Sequence, residues 1–446
     1  MTEPKYVKWN AKEETRPAKK RGEFGEIKAT GGNLAFGGDF VCSVSECSTP
    51  EIVGIKAFVP YVLPSEEFTA QIYEHEKRFL KADAPKIITA SPERITPNCV
   101  HFGSCGGCSL QHSNYEYQLK LKQDMIESTL KLQTNWGENR PETIEISTIP
   151  TQAFAYRDRI KLQVNHLGEV GFFKRNSNHI VIVDNCPISN ELINKAINQI
   201  KRLNKRLISK FSNILVETYQ GNLYLQFLWR GLDKPQRDGL VTLTDLFLGF
   251  IELAEISVLA GTKEVASFSG ESSKRSKYPI GHFSQVNPIG NEALQKIVLQ
   301  ESVGYATAVE LYAGAGNFSI PLAQSGLKMT AVEQDSALVS YGQNLSDEKN
   351  LKINWITNSC EKFIEHNQLS KLVIADPPRS GLKPILEAFA APQVQKLIYI
   401  SCSLPHLTRD LTTLLELNYR LTRTYFVDMF PQTHYVETVA VLERIS

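Results

Sequence analysis

The sequence predicts an α/β protein whose C-terminal part is a parallel sheet flanked by helices, behind a small β-barrel and a β-rich central region. Three observations predict it. From about residue 284 apolar strands alternate with amphipathic stretches, the rhythm of a sheet with helical crossovers. Over residues 21–85 short apolar stretches are broken by Gly, Asn and Pro, the pattern of a small barrel. Between these regions RDRIKLQVNHLGEVGFFK, HIVIVDNCPI and ILVETYQGNLYLQFLWRG read as strands.

A chain of 446 residues has room for two or three domains, each with its own core. Its 42% hydrophobic and 22% charged residues match an ordinary globular protein. No apolar run approaches the roughly 20 residues that a membrane helix needs. The first 26 residues, MTEPKYVKWNAKEETRPAKKRGEFGE, lack the apolar core of a signal peptide. Eight cysteines without a secretion signal indicate a reducing compartment, so the expectation is a cytoplasmic protein with no membrane partner; nothing in the sequence suggests more than a monomer. A net charge of +1 does not announce a nucleic-acid binder. Local charge says more. The first 21 residues hold seven Lys/Arg against three Glu, INKAINQIKRLNKRLISKF holds six bases and no acid, and SSKRSKYPIGH adds a third knot. Such patches can track phosphates, and they equally suit solvated helix faces and a loose tail.

The expected order is a disordered basic tail over 1–20, a barrel over 21–92, a central domain over 93–283 and an α/β domain over 284–446. SPERITPNC links the barrel to a cysteine-rich loop, and YEYQLKLKQDMIESTLKLQ has helical periodicity. A basic helix is expected near 191–212. The α/β strands are TAVELYAG, LKMTAVEQD, KINWITNS, KLVIADPP, KLIYISCS, YRLTRTYFVDMF and VETVAVLER. The last two are joined only by FPQTHY, too short for a parallel crossover, so the final strand is antiparallel to its predecessor.

Polar residues collect at one edge of this sheet. Gly314 and Gly316 in ELYAGAGNFSIPLA directly follow the first strand, where a ligand can approach the backbone. A dinucleotide fingerprint wants a third glycine where Ser319 stands, which disfavours NAD. Glu333, ending the next strand, suits a ribose diol, and the combination fits S-adenosylmethionine (SAM). Asp376 follows the fourth strand and Cys402 the fifth. Ligands of open α/β sheets bind outside the carboxyl ends of the strands. Glu437 opens the antiparallel last strand and so lies at the same edge. Taken singly, Asp376 could cap a turn, Cys402 fill a core and Glu437 pair with a surface arginine. Four strands converging on one crevice favour a site.

A cysteine beside SAM suits one chemistry well. Carbon 5 of uracil is a poor nucleophile until a thiolate adds at carbon 6 and makes an enolate. Carbon 5 can then take a methyl group, a base removes its proton, and the thiol leaves. Cys402 and Glu437 can supply these roles, and Arg379 can favour the thiolate or contact phosphate. An N6-adenine methyltransferase is a competing reading of DPPR, but Arg379 stands where that motif carries an aromatic residue, and Cys402 would have no task. A non-catalytic RNA-binding or iron–sulfur sensor protein is a third class.

LYAGAGNF, ADPPRSGL, ISCSLPHLTRDL, FPQTHYVETVAVLER and FSQVN at 283–287 resemble the RNA uracil-5-methyltransferases, from about residue 20 to the C-terminus. The resemblance implies a Rossmann-like SAM-dependent methyltransferase domain, with Cys402 as nucleophile and Glu437 as base. It implies SAM contacts at Gln285, Tyr312, Asn317, Glu333 and Asp376, beside the glycines Gly314 and Gly316. Family members often place Asn or Asp after strand three. Here TNSCEK leaves that contact to Asn358 or Ser359. Phe283 would line the pocket for the flipped base. The barrel would be a TRAM (OB-like) RNA-binding domain. The pattern is nearest the RlmD type, which acts on 23S ribosomal RNA; the T-loop uridine of tRNA and another 23S uridine are the alternatives.

The stretch PNCVHFGSCGGCSLQH holds Cys99, Cys105 and Cys108, three ligands where a cluster or zinc needs four. Cys42 and Cys47 fall in the barrel, and Cys360 and Cys402 in the catalytic domain. That leaves Cys186, followed by proline as in one ferredoxin pattern. The resulting C-x5-C-x2-C with a distant C-P suits a [4Fe–4S] cluster better than zinc, which more often uses two close pairs. The resemblance to ribosomal-RNA members implies the same four ligands. His101 and His112 keep a Cys3His zinc site as the alternative.

Overall fold

The computed structural model describes residues 25–76, 78–136, 144–231, 247, 252–270 and 279–445. The tail over 1–20 and most of the knot SSKRSKYPIGH lie outside the described residues. The chain divides into two compact units, one ending at Arg94 and one starting at Ile95.

In the first unit β1 (Glu26–Thr30), β2 (Phe40–Cys47), β3 (Lys56–Val59), β4 (Glu67–His75) and β5 (Phe79–Thr89) close into a barrel of order β1-β2-β3-β5-β4. Closure removes the edge strands that five short strands would otherwise expose. Residues alternate inward and outward along each strand, and Ile27, Phe40, Phe68, Ile72 and Leu80 fill the interior. Glu66 is buried at the rim, where it accepts from Leu63 N at 2.7 Å and pairs with Arg94.

The second unit opens with the cysteine-rich loop, then α1 (Tyr115–Gln133) and β6 (Ile146–Ile149). Asn114 caps α1 by accepting from Tyr117 N at 2.8 Å. Next come β7 (Arg159–Val164), β8 (Val170–Phe173), β9 (Ile180–Ile182), α2 (Glu191–Arg202), α3 (Lys205–Ile208), β10 (Phe211–Tyr219), β11 (Asn222–Trp229), β12 (Leu253–Ala260) and β13 (Lys263–Ser269). Their strands form a seven-stranded sheet of order β13-β12-β11-β10-β7-β8-β9. The apolar face of α2 (Ile193, Ala196, Ile197, Ile200) packs on it with Leu162, Ile214 and Phe227. The single basic helix expected near 191–212 is two helices: the first ends at Leu203, which turns to extended backbone, and Asn204 caps the second by accepting from Arg206 N.

The rest is an alternating series: α4 (Pro288–Glu301), β14 (Thr307–Leu311), α5 (Ser319–Gln324), β15 (Lys328–Glu333), α6 (Ser336–Glu348), β16 (Ile353–Thr357), α7 (Cys360–His366), β17 (Leu372–Ala375), β18 (Lys396–Ser401), α8 (Leu404–Glu416), β19 (Tyr419–Val427) and β20 (Glu437–Arg444). The sheet order is β16-β15-β14-β17-β18-β20-β19-β6. Strands β14 to β18 are parallel. β17 and β18 are buried along their whole length, which explains the apolar text of LVIA and of the LIYI within KLIYIS; the buried Lys396 that opens β18 is paired with Glu301. β20 runs antiparallel to both β18 and β19. β6, from upstream of the expected 284 boundary, adds an eighth strand parallel to β19, and α1 packs beside α8.

Candidate active site

The site is built at the carboxyl ends of the parallel strands. After β14 the chain turns at Tyr312, which adopts φ 60°, then passes Gly314 and Gly316 at φ 56° and 84°. A side chain at Gly316 would meet the Trp355 ring at 2.7 Å, so the position needs glycine for space as well as for its backbone. Glu310 fixes this turn from within β14. It is 1% exposed and accepts from Phe318 N at 3.3 Å, Ser319 N at 2.6 Å and the Ser319 hydroxyl. Burial pushes its carboxyl up to about 8, against those donors, with the nearby Asp376 charge also raising it.

Glu333 closes the other side of the turn. One of its oxygens accepts from Gly314 N and the other from Asp335 N, both at 2.9 Å. Asn358 follows β16, and its N–H donates to Glu333 O at 3.0 Å. Ser359 is occupied as the cap of α7, accepting from Lys362 N. The Asn317 side chain exchanges hydrogen bonds with Asn291 at 2.9 and 2.8 Å and accepts from Gln295, both on α4. It fastens the loop to that helix.

Asp376, Cys402 and Glu437 come together at the ends of β17 and β18 and the start of β20. The pair Ser401↔Thr438 places Cys402 and Glu437 one step beyond the ladder. Asp376 is half-buried and accepts from Gln285 Nε2 at 3.1 Å. Lost hydration pushes its carboxyl up to about 7. Glu437, 3% exposed, is held well above the usual carboxylate range by burial and by the Asp376 charge, with Arg379 opposing. Burial pushes the Cys402 thiol up to about 11; Glu437 and Asp376 add to this, while the adjoining Arg379 guanidinium favours the thiolate. Burial thus disfavours the charged form of each of these three groups, and Arg379 opposes it at Cys402 and Glu437. Phe283, 68% exposed, stands two residues before Gln285.

Cys99, Cys105, Cys108 and Cys186 line one cavity of about 210 Å³, together with His101, Phe102, Phe172, Val183 and others. Its volume is several times that of a water molecule. Each of the three N-terminal thiols feels the charge of Cys186, and burial pushes Cys108 up to about 12. The loop is pinned to β8 by Gly106 N donating to Phe173 O at 2.9 Å. Asn194 of α2 holds Cys186 through its N–H at 2.8 Å and its carbonyl at 3.1 Å. Among the described residues no three His, Cys, Asp or Glu side chains converge on a single metal ion. His112 stacks on Phe102, with ring centroids 5.5 Å apart.

A sequence-family model described as tRNA (Uracil-5-)-methyltransferase matches residues 278–445. An RNA methyltransferase of Bdellovibrio bacteriovorus is 31% identical over 406 residues, covering 87% of this chain and 90% of that protein. The chain belongs to the RNA uracil-5-methyltransferase family. The 23S rRNA (uracil(1939)-C(5))-methyltransferase RlmD of Shewanella woodyi is 27% identical over 87% of this chain and 91% of its own. The crystal structure of Pyrococcus abyssi tRNA (uracil-54, C5)-methyltransferase shares the fold. Its TM-score is 0.71 at 21% identity, over 93% of this chain and all of that one. This uracil-5-methyltransferase is a SAM-dependent enzyme that methylates carbon 5 of uracil in RNA. Among the described residues no helix is long and apolar enough to cross a membrane.

Two residues of the site were not singled out in the sequence. Glu310 left one signal, a carboxylate inside the apolar strand TAVEL just before the glycine loop. His434, in FPQTHY, left none beyond its place in a motif.

Proposed function

We propose that this enzyme methylates one uridine of a structured RNA, in 23S ribosomal RNA or in tRNA, using Cys402 as nucleophile and Glu437 as base. The observation that carries the reading is the cluster of Cys402, Glu437, Asp376 and Arg379 at one sheet edge beside the glycine turn. SAM, when bound, supplies an electrophilic methyl group. Gln285, Tyr312, Gly314, Gly316, Glu333, Asn358 and Asp376 are its proposed contacts. Asn317 and Ser359 shape the loops instead, because their side chains are committed to α4 and α7.

Cys402, having given its proton to solvent under the Arg379 charge, attacks as the thiolate: its sulfur forms a bond to uracil carbon 6, and the electron pair of the 5,6 double bond moves to carbon 5 and the carbonyl oxygen. Carbon 5 takes the methyl group as the sulfonium's bond to that methyl breaks, leaving a neutral thioether. Glu437, ionised at that stage, accepts the carbon 5 proton. The released electron pair reforms the double bond as the carbon 6–sulfur bond breaks, returning the thiolate. Arg379 stabilises that thiolate both before addition and on departure. Its positive charge, and that of the sulfonium, favour the anionic forms against the burial that opposes them.

A 23S uridine follows the substrate named for the Shewanella relative, and a tRNA uridine follows the family description. A covalent trap decides between them. The protein is mixed with SAM and 5-fluorouridine-substituted 23S fragments or T-loop stems, then run on a denaturing gel. Fluorine cannot leave as a proton, so the thioether persists. An adduct that disappears in Cys402→Ala supports the reading, and the RNA that shifts names the substrate. No adduct from folded, SAM-bound protein overturns it.

The four-thiol cavity supports a [4Fe–4S] cluster held by Cys99, Cys105, Cys108 and Cys186. Four separated donors around an apolar chamber suit a polynuclear group. It would staple the cysteine-rich loop to β8 and α2, and the TRAM-like barrel would add an RNA contact. Anaerobically purified protein should contain iron and acid-labile sulfide in equal amounts, and Cys186→Ala should lose both. Stoichiometric zinc in their place would reject the cluster.

A further inference from the structure

The loop joining β19 to β20 brings the cysteine-rich segment against the reactive centre. Ser109 follows Cys108 directly. Ser109 N and Leu110 N both donate to Gln432 O at 3.0 Å. The Ser109 hydroxyl and His434 Nδ1 are 3.1 Å apart. The imidazole lies against Tyr435, with ring centroids 4.2 Å apart and planes 35° apart. The Arg379 guanidinium carbon sits 5.2 Å from the Tyr435 ring centre, a cation–π contact. The same guanidinium adjoins the Cys402 sulfur. Gln432 itself is clamped by Gln118 of α1, whose Nε2 donates to Gln432 Oε1 at 2.9 Å and whose Oε1 accepts from Gln432 N at 3.0 Å. Glu437 begins β20 three residues after His434.

We propose that His434 is a positioning residue: anchored by Ser109, it holds Tyr435 and through it Arg379 over Cys402, so that the cysteine-rich loop sets the reactivity of the nucleophile. The inference rests on the reading of Cys402 as the nucleophile. An arginine on a flexible stem has many rotamers, and a ring beneath it removes most of them. The ring needs its own support, which His434 supplies from one side and Phe430 from another, at 5.9 Å between centroids. The charged groups that face Cys402 are Glu437, Asp376 and Arg379. Those that face His434 are Lys122, Arg175 and Arg379, which with burial keep its imidazole neutral. Losing the anchor releases the cation that adjoins Cys402 and leaves the two carboxyl groups in place. The thiolate then becomes harder to form.

The experiment uses the full-length, iron-loaded protein as wild type, Ser109→Ala, His434→Phe and the double variant. His434→Phe keeps a ring against Tyr435 and loses the bond to Ser109. Alkylation of Cys402 by iodoacetamide is followed against pH by peptide mass spectrometry, with iron content and SAM affinity as measures of intact folding. Each single variant should move the Cys402 alkylation profile to higher pH and slow it about three- to ten-fold near neutral pH, the span of one lost hydrogen bond. The double variant should match the singles, since both cut one link. Tyr435→Leu, which leaves the cysteine-rich loop untouched, should give the same shift and carries the test if either single variant loses iron. Profiles that coincide with wild type overturn the inference, as do effects that add in the double variant. In that event a wild-type fluorouridine adduct at Cys402 leaves the functional reading standing. Absence of that adduct removes the reading and the inference together.

Discussion

Asp376 carries a pH signature that a binding experiment can read. Its carboxyl is pushed up to about 7 by lost hydration, while the Gln285 amide pulls the other way. Near neutrality the free enzyme therefore holds part of a proton there. A bound sulfonium favours the carboxylate, so binding lowers the affinity for that proton and expels it. SAM affinity should be constant above about 7 and fall as pH drops below it, by at most about ten-fold per pH unit. Calorimetry in buffers of different ionisation enthalpy checks this, and zero proton release at neutral pH rejects the contact. At this scale the sequence reveals residue types at strand ends, and this made Glu333, Asp376, Cys402 and Glu437 legible. It does not reveal which partner captures a side chain. A cofactor contact is expected at Asn317, and its amide is held by Asn291 and Gln295. Ser359 is taken by its own helix.

Helix α1 shows how an element's partner can stay hidden. Its periodicity is plain, yet nothing in YEYQLKLKQD marks Lys122 as a buried position. In the fold Lys122 and Asp428 are both 0% exposed and paired at 2.7 Å, and Lys122 also donates to Phe430 O at 3.0 Å. The partner lies at the far end of the chain, beyond the reach of any local pattern. Removing the ammonium leaves a buried carboxylate uncompensated, which costs about 3–5 kcal/mol. Lys122→Ala should lower unfolding stability in urea by that amount. A loss within the range of about 0–1 kcal/mol found for exposed pairs would show that water reaches the site. The same pair docks α1 against the loop that carries His434, so this helix orders the reactive edge as well as the core.

For the whole molecule, the buried parallel strands were the most legible part. Strands covered on both faces read as apolar runs, and LVIA of β17 and LIYI of β18 do; Lys396 at the start of β18 is buried with Glu301 as its partner. The closed barrel was legible from its turn residues. The eighth strand was not. ISTI is four residues long, and its pairing with β19 is set by tertiary neighbours. That strand has a consequence for the order in which the protein is made. Translation delivers β6 and α1 early, but Ile146 pairs with Thr424, near the end of the chain. Until the last hairpin emerges, β6 has no ladder to join and α1 has no α8 to rest on. The nascent chain must therefore keep the apolar face of an amphipathic helix and an open strand waiting through most of its synthesis. A fragment begun at residue 284 would face the mirror problem, with β19 as a bare edge inviting other chains.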